Sequence, residues 1–177
     1  MRENTTVDLD KTSVVAEDLA LFGEWYRSYL NRKDSLWGPV AEHLQVCGGK
    51  RLRPRLFFLC RGIAGDNLSR DVRVAVMLEL LHRASLLHDD VVDAAAYRHG
   101  KKTVNARFGN KAAILAGDIL FAQILKLGVA IENRDVLGKL AAVSAGMSRS
   151  ELRAEMAPLK KAAESSFYYT TIREKTG

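Results

Sequence analysis

Cysteine is almost absent from this 177-residue chain: there are two, Cys47 and Cys60, and neither sits in a Cys-x-x-Cys or other zinc-type spacing. Neither a disulfide scaffold nor a structural zinc site is indicated, and a reducing cytoplasm is the expected setting. Proline is nearly as scarce, at three residues, and no stretch alternates apolar and polar residues as a half-buried strand would. The opening MRENTTVDLDKT has no apolar centre, so a secretory signal is not expected. Long uninterrupted hydrophobic runs are missing too. The nearest, Ala112 to Ile131, is broken by Asp118, Gln123 and Lys126, each costly in lipid. We expect a buried helix there and no transmembrane segment.

What is present suits a helical protein. With 47% apolar and 27% charged residues, the chain can bury a sizeable core, and a single domain over 1–177 is expected, with residues 1–12 a flexible tail. The net charge of +6 invites an anionic partner, but no helix combines a dense basic stripe with interleaved aromatics, so nucleic acid is not expected. Apolar residues recur every three or four positions from Val14 to Leu30, with Ser13 a suitable cap. Asp34 to Val46 reads as a second helix closed by Gly48 and Gly49, and Pro54 suits the first turn of a third, ending near Ile63. Ser69 is expected to cap a long helix. A loop at Tyr97 to Lys102 follows, then a helix opened by Asn110 and three more over Val136–Gly146, Ser150–Lys161 and Phe167–Lys175.

The long helix ends in HDDVVD, where an apolar run meets Asp89, Asp90 and Asp93. On a helix Asp89 and Asp93 lie one turn apart, so their carboxylates can converge on a cation. Oxygen ligands of this kind suit Mg2+, which takes one or two carboxylates and completes its shell with water and phosphate oxygens. The plainer reading is a solvated helix end with loose pairs to Arg98 or Lys101. It is less comfortable because the helix dipole disfavours negative charge at a carboxy terminus.

Two basic clusters bracket the aspartates. GGKRLRPR, from Gly48 to Arg55, sets Lys50 and Arg53 beside a glycine turn where backbone and guanidinium could meet a diphosphate; a helix cap followed by an exposed basic turn is the alternative. Tyr97-Arg98-His99-Gly100-Lys101-Lys102 forms the other cluster. His82, alone on an apolar helix face, is either a hydrogen-bonded core residue or a ligand facing the same mouth. His43 and His88 receive no functional role.

GGKRLRP, LLHRASLLHDDVVD, RHGKKTVNARFGNKAAILAGD and the terminal KTG, in this order, resemble the amino-terminal half of the trans-isoprenyl diphosphate synthase (polyprenyl synthetase) family. The resemblance is strong from Cys47 to Asp118. It implies an all-α helical bundle around an apolar cavity, here its first half, and a reaction joining isopentenyl diphosphate to an allylic diphosphate. By the same resemblance, Asp89 and Asp93 hold Mg2+ against the allylic diphosphate with Asp90 in support. Lys50, Arg53 and His82 hold isopentenyl diphosphate, and Arg98, Lys175 and Thr176 reach the allylic diphosphate. Ala84 and Ser85, small residues about one turn before the aspartates, would let a medium or long chain pass.

The sequence departs from the family pattern in three places. Arg98-His99 stands where two arginines are usual, so the grip of His99 on isopentenyl diphosphate depends on protonation. Ala94, Ala95 and Ala96 replace loop acids. The family's second aspartate-rich motif has no counterpart, since the only aspartates after Asp93 are Asp118 and Asp135. The resemblance therefore implies a prenyltransferase acting in a homo- or hetero-oligomer, inactive as an isolated chain, or else a non-catalytic partner subunit. A terpene cyclase would share the metal motif but would not need Lys50, Arg53 and His82.

Overall fold

The computed structural model describes residues 13–30, 36–46, 50–64 and 71–156, with 166, 169, 170, 172 and 173 beyond them. It is all-α apart from one short hairpin. In chain order the elements are α1 (Ser13–Leu30), α2 (Gly38–Val46), α3 (Leu52–Ala64), α4 (Val72–Val92), β1 (Tyr97–Arg98), β2 (Lys101–Lys102), α5 (Val104–Phe108), α6 (Asn110–Ile131) and α7 (Arg134–Met156). They fall into two compact units, Met1–Ile131 and Glu132–Gly177.

The first unit is organised around α4, whose sequence is apolar nearly all round and which packs against α1, α3, α5 and α6. Val76, Met77, Leu80 and Ala84 of α4 are fully buried. Its most extensive partner is α6. There Ala113, Ala116, Gly117, Leu120, Gln123, Ile124, Leu127 and Gly128 form one buried stripe at helical spacing, and their small members let the two helices approach closely. Helix α6 is, among the described residues, long and apolar enough to cross a membrane; in this fold its stripe is spent on α4.

Gly117 is fixed by this approach, because a Cβ there would overlap the His88 imidazole. That ring donates from Nε2 to the Ile114 carbonyl at 3.2 Å and lies 3.6 Å from the Asp118 carboxylate. Gly117→Ala should push the ring aside and break its Ile114 bond, so it should lose part or all of the ~1 kcal/mol that alanine ordinarily gains over glycine in a helix interior. Urea unfolding would measure this. His88→Ala in the same chain should recover most of the loss, and no recovery would show that the strain lies elsewhere.

Several expectations change at element boundaries. The cap of α4 is Asp71, whose carboxylate accepts from the Arg73 N–H at 2.9 Å, rather than Ser69, which lies outside the described residues. Residues 136–146 and 150–156 form one continuous helix, α7, where a break was expected. The 97–102 loop is a hairpin with Tyr97 opposite Lys102 and Arg98 opposite Lys101. Its two-residue turn has φ of 49° at His99 and 75° at Gly100, the positive pair that a type I′ turn requires. The expected tail at 1–12, the glycine pair 48–49 and the helices after 156 lie outside the described residues or extend beyond them.

Candidate diphosphate site

Helix α4 ends in a Schellman arrangement: Ala95 N–H reaches the Asp90 carbonyl at 2.9 Å and Ala94 N–H the Val91 carbonyl at 3.2 Å. Ala94 takes the left-handed conformation, φ 48°, at the place glycine usually fills. The returning chain is then pinned. Asn105 donates to the carbonyls of Asp90 and Ala95, both at 3.0 Å, and the Thr103 hydroxyl donates to Ala95 at 2.7 Å. Thr103 also caps α5. These bonds fold the hairpin back beside the helix end.

The result is a cavity of about 740 Å³ that gathers both basic clusters. Lys50, Arg53, His82, Arg98 and His99, all expected as ligand-binding residues, line it together. Leu44, Leu52, Leu86, Leu87 and Val104 supply apolar wall. Six lysine and arginine side chains face only two carboxylates, those of Glu79 and Asp90. That excess of cations suits a polyanion such as a diphosphate, which the cavity has room to admit.

Asp90 is turned inward rather than toward a shared acidic cluster. Its side chain is 8% exposed, and Arg98 grips one of its oxygens from both Nε (2.8 Å) and Nη2 (2.7 Å). The pair holds the guanidinium at the cavity mouth before any ligand arrives. Glu79 and Arg83, one turn apart and both buried, make a second pair at 3.7 Å deeper in the wall. Arg51 stands with φ 50° and lays its guanidinium over the rings of Phe22 and Tyr26, at 5.8 and 5.6 Å, tying the basic turn to α1.

Burial pushes the His82 imidazolium down to about 4, and Arg53, Arg83 and Arg98 push in the same direction. His82 therefore faces the cavity as a neutral ring with one N–H to offer. Because its folded value lies below the ordinary 6.5, the unfolded chain binds the extra proton first. Stability should be untouched above pH 6.5 and fall as pH drops from 6.5 toward 4. His82→Gln should flatten that part of a melting-temperature profile; parallel profiles for the two proteins would place His82 in a less buried setting.

Asp89 and Asp93 stand apart from the cavity lining. Asp93 is the exposed C-cap of α4, its N–H bonded to the Asp89 carbonyl at 2.8 Å, and Asp89 is half-buried one turn earlier. Two carboxylates thus stand on the carboxy-terminal turn of α4, at the negative end of the helix dipole. Among the described residues no group of three His, Cys, Asp or Glu could enclose a metal. A pair of carboxylates nevertheless fits Mg2+, which prefers one or two with water and phosphate completing its shell. Ala84 is fully buried, and the half-buried Ser85 hydroxyl donates to the His82 carbonyl at 2.9 Å; neither lines the cavity. Lys175 and Thr176 lie outside the described residues.

The sequence did not single out Arg51, Glu79, Arg83 or Asn105 for this site. Arg51 sits inside the quoted basic motif and could have been weighed. Glu79 and Arg83 carry the i, i+4 spacing of an ion pair on an otherwise apolar helix, a signal of the same quality as His82.

Comparison with known proteins identifies the family and the fold. The chain is 32% identical over 168 residues to the all-trans-nonaprenyl-diphosphate synthase (geranyl-diphosphate specific) of Rhodobacter capsulatus, covering 94% of this chain and 52% of that protein. It is 34% identical over 164 residues to heptaprenyl diphosphate synthase component 2 of Geobacillus stearothermophilus, covering 93% and 51%. Its fold matches a crystal structure of polyprenyl synthase from Caulobacter crescentus CB15, complexed with calcium and isoprenyl diphosphate, with a TM-score of 0.85 at 29% identity over 94% of this chain and 50% of that one. The chain thus spans about half the length of these relatives. The polyprenyl synthetase family pattern matches residues 35–177, from before α2 to beyond α7, and the chain belongs to the polyprenyl synthetase family.

Proposed function

We propose that this chain is the diphosphate-binding amino-terminal portion of a cytoplasmic trans-isoprenyl diphosphate synthase, which condenses isopentenyl diphosphate with an allylic diphosphate to give a medium- or long-chain product. One observation carries the reading: Lys50, Arg53, His82, Arg98 and His99 share a single basic cavity beside the helix end that bears Asp89 and Asp93. Lys50, Arg53 and His82 hold the diphosphate of isopentenyl diphosphate, with His99 at the hairpin tip adding charge when protonated. Arg98, braced by Asp90, meets the allylic diphosphate. Asp89 and Asp93 are the residues that would hold Mg2+, whose charge stabilises the diphosphate as it leaves. The allylic C–O bond breaks with its electron pair going to diphosphate, the isopentenyl double bond forms the new C–C bond, and a proton is then lost. Fixed cations already aimed at the leaving oxygens require little reorganisation during that step.

Calcium and isoprenyl diphosphate in the Caulobacter crescentus polyprenyl synthase structure support both the metal and the substrate class. Exposed Ile114, Leu115, Ile119, Leu125 and Val129 on α6 support an oligomer. Because no second aspartate-rich motif follows Asp93 within these 177 residues, we infer that the 177-residue chain alone binds diphosphate weakly and condenses negligibly. Labelled isopentenyl diphosphate, offered with C10 to C20 allylic diphosphates and Mg2+, tests this. Elongation should appear when a synthase subunit supplies the second cluster. Its absence with every partner, alongside intact pyrophosphate binding, would favour a second reading, a non-catalytic partner subunit. The name component 2 carried by the Geobacillus stearothermophilus relative supports a hetero-oligomer under either reading.

Product length supplies a further test. If the growing chain runs along α4, Ala84→Phe should shorten the product, while its burial makes it cost about 1–3 kcal/mol of stability as well. Chromatography of the products would read the first effect and thermal melting the second. A destabilised enzyme with an unchanged product distribution would remove Ala84 and Ser85 from the path.

A further inference from the structure

We propose that His43, to which the sequence assigned no role, is a positioning residue: through its neutral Nε2–H tautomer it fixes the basic hairpin, and with it Arg98 and His99, across the cavity from Lys50 and Arg53. For the nature of the ligand this rests on the diphosphate reading above. The geometry of the ring does not.

His43 is 7% exposed on α2 and lines the cavity wall. Arg107 of α5 places Nη1 3.0 Å from its Nδ1. A guanidinium has only N–H groups to offer, so Nδ1 must accept. The proton of the neutral ring therefore sits on Nε2, and Nε2 lies 2.8 Å from the Lys102 carbonyl, an obligatory acceptor. Donor and acceptor demands agree on one tautomer. Phe108 meets the ring edge-on at a centroid distance of 5.8 Å and sets its plane. One imidazole thus joins α2, β2 and α5.

The hairpin needs such anchors. It has two residue pairs and a two-residue turn, and an isolated two-stranded hairpin is marginal in water. Its ties to neighbouring elements include Arg98 to Asp90, the Thr103 hydroxyl beside it to the Ala95 carbonyl at 2.7 Å, Lys101 Nζ to the Val46 carbonyl at 2.5 Å, and His43 to Lys102. Two of these come from the carboxy-terminal half of α2, four residues before Lys50 in the case of Val46. The same short helix therefore holds the hairpin at two points, and losing the His43 tie should let the hairpin side drift.

Three measurements on the 177-residue chain test this: the tautomer of His43 by nitrogen-15 shifts, amide hydrogen exchange over residues 97–102, and binding of inorganic pyrophosphate. His43→Phe keeps a ring of similar size and removes both hydrogen bonds. It should speed hairpin exchange at least tenfold and weaken pyrophosphate about tenfold. His43→Gln, whose amide again supplies one donor and one acceptor, should stay within about threefold of the parent. Should His43→Phe fail to fold, Arg107→Met, at an exposed position, takes its place; there the His43 signal should lose its pure Nε2–H character. An Nδ1–H tautomer in the parent, unchanged hairpin exchange in His43→Phe, or an unchanged His43 tautomer signal in Arg107→Met would overturn the proposal. If the parent binds no pyrophosphate while hairpin exchange responds, the diphosphate reading fails and the positioning role stands.

Discussion

Arg98→Met is expected to lower stability by about 2–3 kcal/mol and to weaken pyrophosphate binding at the same time. Breaking a buried ion pair from one side typically costs about 3–5 kcal/mol because the remaining charge is stranded. Here Asp90 is the stranded partner, 8% exposed, while Arg98 itself is 36% exposed, so solvent screening reduces the figure. The second substitution separates the two consequences. Arg98→Met with Asp90→Leu removes the stranded carboxylate and should recover most of the stability, but it cannot restore a cation at the cavity mouth. Denaturant midpoints and calorimetric titration read the two effects independently; recovery of both by the double variant would mean that Arg98 is structural and touches no ligand.

Asp93→Asn should act in the opposite sense on its two readouts. Asp93 caps α4 at its carboxy terminus, where the helix dipole opposes negative charge, so neutralising it should raise stability by a few tenths of a kcal/mol and up to about 1. Turnover in a complemented synthase should nevertheless fall on the order of 10²- to 10³-fold, the usual cost of removing one preorganised group from a site of charge development. Asp89→Ala should cause a comparable loss of turnover. A residue kept for the fold alone would not lose function while gaining stability. If Asp93→Asn leaves turnover intact in Mg2+, the metal role of the pair is wrong.

The features legible in the sequence share one property: the residues that define them are close together in the chain. Lys50 with Arg53, and Asp89 with Asp93, fall within one helical turn or one loop, and the apolar repeat of α4 and α6 is visible in any short window. What stayed hidden depends on atoms distant in sequence. His43 meets Lys102 and Arg107 only because α2, β2 and α5 pack together; the sequence offered Arg98 as a loose partner for the aspartates, but that it grips the buried Asp90 follows from the chain reversing after α4. Local signals also misled where tertiary structure overrode them. Ala94 adopts the left-handed cap with no glycine to announce it, held by the Asn105 and Thr103 bonds to Ala95. The apolar pattern divides Val136–Gly146 from Ser150–Lys161, yet α7 runs unbroken between them to Met156. Asp71 outcompeted Ser69 as cap because it lies directly before Val72 and reaches the Arg73 N–H.

The most direct test of the diphosphate site is titration of the 177-residue chain with inorganic pyrophosphate, with and without Mg2+, alongside a Lys50→Ala/Arg53→Ala variant. The geometry predicts binding in Mg2+ that weakens about tenfold without the metal and at least a hundredfold in the double variant, roughly 1.4 kcal/mol for each factor of ten. Pyrophosphate binding that is indifferent both to Mg2+ and to the loss of Lys50 and Arg53 would contradict the account.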